Sequence, residues 1–169
     1  MTTEAARIGL ALGLLALLPT TGAAADAVER NWFDDPFFQV SAADPACPLP
    51  AGPFVDERGR REQAHRRAEK GTTCWLAGQC ERPKAYLYDA DIAASIQQAF
   101  AAAAERFAGS TLWVTVQGRV VYVEGCARDA AQVADAETLA RALLYVEQAI
   151  AIVRVPPART PPYRVRRAR

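Results

Sequence analysis

Residues 111–125 read TLWVTVQGRVVYVEG. Leu112, Val114 and Val116 alternate with Trp113 and Thr115, the period of a strand with one apolar face. A turn on Gly118-Arg119 puts glycine at the first central position, which suits a type II′ hairpin. That register pairs Val116 with Val121 and Val114 with Val123, so the apolar faces of both strands agree. A turn on Gln117-Gly118 would pair Val114 with Val121 instead. In either register the segment is a hairpin, and Trp113 and Tyr122 lie on its second face.

Upstream, DADIAASIQQAFAAAAERFAGS (residues 89–110) spaces Ile92, Ile96, Phe100, Ala103 and Phe107 by threes and fours. That is one face of an amphipathic helix, with alanine at most spacer positions. Asp89 or Asp91 can cap its start and Gly109 can end it. Downstream, residues 130–144 repeat the pattern, with Val133, Ala136, Ala140 and Leu143 inward and Asp129 as cap. Residues 149–155, AIAIVRV, form a short strand stopped by Pro156-Pro157. Helix, strand, strand, helix, strand predicts an α+β fold: a two-layer αββαβ sandwich with two helices on one face of a small sheet.

The segment from about Asp91 to Val155 resembles the BON domain of bacterial envelope proteins. The resemblance rests on the αββαβ order, on the Val121-x-Val123-x-Gly125 run that ends the hairpin, on the alanine-centred helix, and on the valine-rich closing strand. Here a Gly-Arg turn replaces the family's usual Asn-Gly or Asp-Gly. The resemblance implies binding rather than catalysis: attachment to anionic phospholipid or to envelope components, in support of envelope integrity. An alternative is a protein–protein accessory subunit of a trans-envelope assembly such as a secretion system.

The flanks read differently. Residues 1–25 join a short polar stretch holding Arg7 to an apolar run, Ile8 to Leu18, then small residues. This is the pattern of a signal peptide, and the run is too short to span a bilayer. The expected location is periplasmic, with no transmembrane segment in the mature chain. Residues 26–88 form an expected irregular, disulfide-tied extension, residues 89–155 the BON-like domain, and residues 156–169 a basic Pro/Arg-rich tail. Within the extension, Glu57–Lys70 is densely charged and predicts a solvated helix from about Arg60 to Gly71.

The chain holds 20 Lys+Arg and 19 Asp+Glu, a net charge of +1. Residues 154–169 contain six arginines and no acid, which leaves the body from residue 26 at a net −5. An extended, mobile tail carrying Arg164, Arg166, Arg167 and Arg169 is expected to meet an anionic surface. Nucleic acid is not an expected partner in an exported protein.

Chemistry has few candidates. The one histidine, His65, sits in a charged run without an orienting partner. No glycine-rich phosphate loop or nucleophile elbow is present. Cys74 and Cys80 have five residues between them, and Cys47 and Cys126 are distant singles, so neither zinc spacing nor a C-x-x-C redox motif is met. No cofactor, metal or catalytic residue is expected. Four cysteines in an oxidising compartment allow three pairings. The favoured one is Cys74–Cys80, because Gly78 lets the short link turn back, together with Cys47–Cys126. Trp75 is then expected to plug the closed loop. Trp113 and Tyr122 are candidate lipid or partner contacts, although Trp32, Phe33, Phe37 and Phe38 are expected to fold over that face.

Overall fold

A computed structural model describes residues 28–167. The expected signal peptide and Arg169 lie outside the described residues. Four strands form one sheet in the order β1 (Phe37–Ala42), β2 (Thr111–Gln117), β3 (Val120–Cys126) and β4 (Gln148–Arg154). The β1–β2 and β2–β3 pairs are antiparallel, and β3–β4 is parallel. A parallel pair needs a crossover, and helix α4 (Ala130–Arg141) supplies it.

The core lies between the sheet and two helices, α4 and α3 (Asp89–Ala102). Ile92, Ile96 and Phe100 of α3 meet Leu112, Val114 and Val116 of β2 and Val121 and Val123 of β3. Ala136 and Ala140 let α4 approach closely, and Ala149 continues the core into β4. Asp129 caps α4 as expected, accepting the Gln132 N–H at 2.9 Å. After α3 a 3₁₀ turn, Ala104–Phe107, brings Phe107 onto Phe100 with ring centroids 4.7 Å apart.

The hairpin takes the register of the Gly118-Arg119 turn, with Val116 opposite Val121 and Gln117 opposite Val120. The turn type differs from the expected one. Both central residues have positive φ, 61° at Gly118 and 69° at Arg119, which is the type I′ pattern. Tertiary contacts hold Arg119 there: the Asp89 carboxylate accepts both turn N–H groups, at 2.7 and 2.8 Å. Asp89 therefore serves the hairpin rather than capping α3, and Asp91 pairs with Arg82.

The extension is more regular than its sequence suggests. Phe37–Ala42 is not an irregular aromatic segment but a fourth strand, with a register shift between Gln39 and Ser41. Phe38 and Val40 pack against the helix-side core, while Phe37 meets Phe54 edge-on at 6.0 Å. Helix α1 (Glu57–Lys70) begins three residues before the expected start, because Asp56 caps it by accepting the Gly59 N–H at 2.7 Å. It has no buried residue and docks chiefly through Arg67. A short helix α2 (Thr73–Leu76) and a 3₁₀ turn, Ala85–Tyr88, lead into α3.

Arg67 fixes α1 in place. Its guanidinium pairs with buried Asp35 and lies between the rings of Phe33 and Tyr86, at 4.1 and 4.0 Å from their centroids. Gln117 Nε2 also donates to Asp35, at 2.7 Å. Trp32 and Phe33 thus serve α1 and its loop rather than roofing the sheet, and Trp32 Nε1 donates to the Val55 carbonyl.

Candidate functional site

Two disulfides close the extension: Cys47–Cys126, with a Cα–Cα distance of 6.0 Å, and Cys74–Cys80, at 5.4 Å. The first joins the loop after β1 to the end of β3. The second staples α2 and its loop beside the hairpin turn, where Arg119 Nη1 lies 3.0 Å from the Cys80 sulfur.

At this turn end a cleft of about 290 Å³ opens between α1, α2 and the sheet's second face. Arg66 and Lys70 come from α1, Arg119 from the turn and Tyr122 from β3, and Tyr86, Gln79, Gln117, Thr73 and Glu147 add further polar groups. Their arrival in one place follows from the fold. Arg67 anchors α1 on Asp35 next to Gln117, which turns the adjacent Arg66 and, one helical turn on, Lys70 to the cleft.

The charge pattern around the cleft is uneven. Along α1, Arg58 pairs with Glu62, Arg60 and Arg61 with Glu57, His65 with Glu69, and Arg67 with Asp35. Among the described residues, Arg66, Lys70 and Arg119 make no ion pair. Arg119 Nε donates to the Tyr145 carbonyl at 2.8 Å, a contact that orients the guanidinium without neutralising it. Glu147 is the single carboxylate in the lining. Arg66 and Lys70 are like charges at i and i+4, which repel by a few tenths of a kcal/mol without a counter-ion. Burial pushes the Tyr86 phenol above its usual range, so its hydroxyl remains a donor at neutral pH. Three cations and several neutral donors converging in a shallow cleft are chemistry for holding an anion.

The sequence singled out other cations. The tail is not free: Tyr163 is buried, and Ala51 N–H donates to the Arg164 carbonyl at 2.7 Å while Arg166 N–H donates to Leu49 at 2.9 Å. Residues 163–166 thus form a strap across the proline-rich loop. Arg164 is paired with Glu29, and Arg166 stacks on Phe54 at 3.7 Å. Arg167 is exposed. Trp113 and Tyr122 are both half-buried, and of the two only Tyr122 lines the cleft. Trp75 is not the plug expected of it: 46% of its surface is exposed, because the five residues between the cysteines leave no interior to fill.

Sequence reading missed Arg66, Lys70, Arg119 and Tyr86. One signal was present. In ERGRREQAHRRAEK, Lys70 has Arg66 and Arg67 one turn before it, so the last turn of α1 carries more positive charge than its acids can match.

Residues 88–155 match the family model of the BON domain. That span runs from Tyr88, the last residue of the 3₁₀ turn, to Val155, one residue past β4. No curated protein and no solved structure matches the chain. The match contains Arg119, Tyr122 and Glu147 of the cleft but not α1, α2 or the Cys74–Cys80 loop.

Proposed function

We propose that this BON-domain chain is a non-enzymatic periplasmic protein that binds anionic phospholipid and so supports envelope integrity. The cleft cations Arg66, Lys70 and Arg119 receive the phosphate group, and Tyr86 and Tyr122 donate to it. The observation that carries this reading is the convergence of three cations without an ion pair on a lining that holds one carboxylate. BON domains are associated with phospholipid and envelope binding, which supports the same class of ligand and location. The leader-like residues 1–25 agree with export. Among the described residues no helix is long and apolar enough to cross a membrane, so the contact proposed is peripheral. Arg167 and Arg169, which follow the strap in sequence, add long-range attraction. Arg164 and Arg166 act mainly in fastening the strap, and Trp113 lies apart from the headgroup contact.

Co-sedimentation with vesicles tests this. Binding to vesicles containing phosphatidylglycerol, but not to phosphatidylcholine alone, is expected, and it should weaken with salt. Charge reversal in Arg66→Glu with Lys70→Glu should lower affinity by at least ~10-fold, from roughly 1 kcal/mol per basic residue. Equal binding to both vesicle types would overturn the reading. Lack of binding to either would overturn it too, and would favour the accessory-subunit alternative.

A further inference from the structure

Seven large apolar residues are exposed among the described residues, and four of them sit on elements around the Arg119 turn. Trp75 and Leu76, 46% and 79% exposed, are on the stapled α2 loop. Leu87, 50% exposed, lies between the cleft residue Tyr86 and Tyr88. Leu144, 70% exposed, precedes Tyr145, whose carbonyl accepts from Arg119. The Arg119 side chain reaches both Cys80 and Tyr145, and α2 lies against the 3₁₀ turn that holds Leu87. The apolar groups and the cleft cations therefore share one end of the molecule.

Exposed Leu and Trp are individually ordinary; their concentration at one end, beside three cations that make no ion pair, is not. The Cys74–Cys80 disulfide, with five residues between its cysteines, also leaves the exposed Trp75 and Leu76 little freedom to fold back. An apolar tip flanked by basic residues matches the boundary of an anionic bilayer. There tryptophan and leucine enter the acyl region, and Arg and Lys remain at the phosphates.

We propose that the Cys74–Cys80 loop is a membrane wedge. Trp75 and Leu76 insert into the acyl boundary, Leu87 and Leu144 rest against the surface, and Arg66, Lys70 and Arg119 hold the phosphates beside them. The proposal rests on the phospholipid reading above and adds the depth and orientation of the contact. The Cys74–Cys80 loop lies outside the BON match, so the extension sets how the domain faces the membrane.

The test uses the full mature chain with vesicles of phosphatidylglycerol and phosphatidylcholine, the acyl chains brominated in one set. Bromine quenches tryptophan only at acyl depth. Wild-type fluorescence should be quenched, and Trp75→Phe should lose that quenched component while still binding. Trp75→Ser with Leu76→Ser should weaken binding by ~100-fold, the order expected for removing two inserted apolar side chains. Both positions are exposed, so the thermal melt of each variant should match the wild type. If wild type binds but Trp75→Phe leaves the quenching unchanged, the wedge is wrong and the lipid reading stands. Undiminished binding of the double variant overturns the wedge in the same way. If wild type binds no anionic vesicle, the lipid reading falls and the wedge with it.

Discussion

The Tyr163 hydroxyl donates to the Pro48 carbonyl at 2.7 Å, beside the Cys47–Cys126 disulfide. One residue of the tail thereby closes the loop after β1 against the end of β3. Tyr163 is 7% exposed, and burial pushes its phenol above the usual range, so it stays a donor. Tyr163→Phe removes this hydrogen bond and should reduce stability by about 1 kcal/mol. Tyr163→Ala also empties the site and should remove ~3–5 kcal/mol, on the scale of large aromatic truncations. Urea denaturation of both variants checks the ordering, and equal effects would show that the hydroxyl carries the contact.

The two disulfides should differ in what they contribute. Cys47–Cys126 spans 79 residues and Cys74–Cys80 spans 6. Chain entropy then predicts losses of about 4 kcal/mol for Cys47→Ala with Cys126→Ala and about 2 kcal/mol for Cys74→Ala with Cys80→Ala. Denaturation midpoints under non-reducing conditions measure both. A larger loss from the short loop would contradict the entropic account.

Arg67→Ala should destabilise by ~3–5 kcal/mol, because it strands the buried Asp35 carboxylate. Arg67→Lys should also be destabilising, by at least ~1 kcal/mol. An ammonium keeps the charge but cannot lie flat between Phe33 and Tyr86. Loss of α1 docking should be visible as faster amide exchange across residues 57–70. A lysine variant with wild-type stability would show that charge alone holds the helix.

Glycines 125 and 78 both have positive φ but should respond differently to alanine. At Gly125 an added Cβ would lie 2.1 Å from the Thr111 carbonyl oxygen of the neighbouring strand. Gly125→Ala should therefore remove more than ~4 kcal/mol, or prevent folding. At Gly78 nothing lies within 4 Å, so Gly78→Ala should lose only the ~1–2 kcal/mol of left-handed backbone strain. Thermal melts of the two variants test the contrast.

Asp89 gives stability a pH dependence. Burial raises its pKa from 3.8 to about 6, against the lowering effect of the Arg119 and Gly118 N–H groups. Asp35 raises it further and Arg67 lowers it. Between about pH 4 and 6 the folded chain holds a proton that the unfolded chain has released. Stability should therefore fall as pH rises through this window, by on the order of 2–3 kcal/mol from this group. Asp89→Asn should be less stable overall and should lack this slope. Melting temperatures of both proteins from pH 4 to 7 provide the measurement, and parallel curves would refute the assignment.

Periodicity made the BON core legible. Alternation in residues 111–125 and the three-and-four spacing of Ile92, Ile96, Phe100, Ala103 and Phe107 are local, and each points to one buried face. The turn type was not legible, since Arg119 is held at positive φ by a carboxylate 30 residues away. Strand β1 was hidden for the same kind of reason. FFQVSA lacks clean alternation and gains its hydrogen bonds from β2, about 70 to 80 residues downstream.

The sequence by itself determined the αββαβ order and the hairpin face, because those follow from side-chain period, whereas the need for glycine at residue 125 comes from the Thr111 carbonyl of the paired strand. The tertiary structure alone decided which of the described cations converge without an ion pair. Arg66, Lys70 and Arg119 lie on two elements some 50 residues apart, and only the docking of Arg67 on Asp35 brings them together. It also decided that Arg164 and Arg166 fasten the tail, since their partners Glu29 and Phe54 come from the extension, more than 100 residues earlier in the chain.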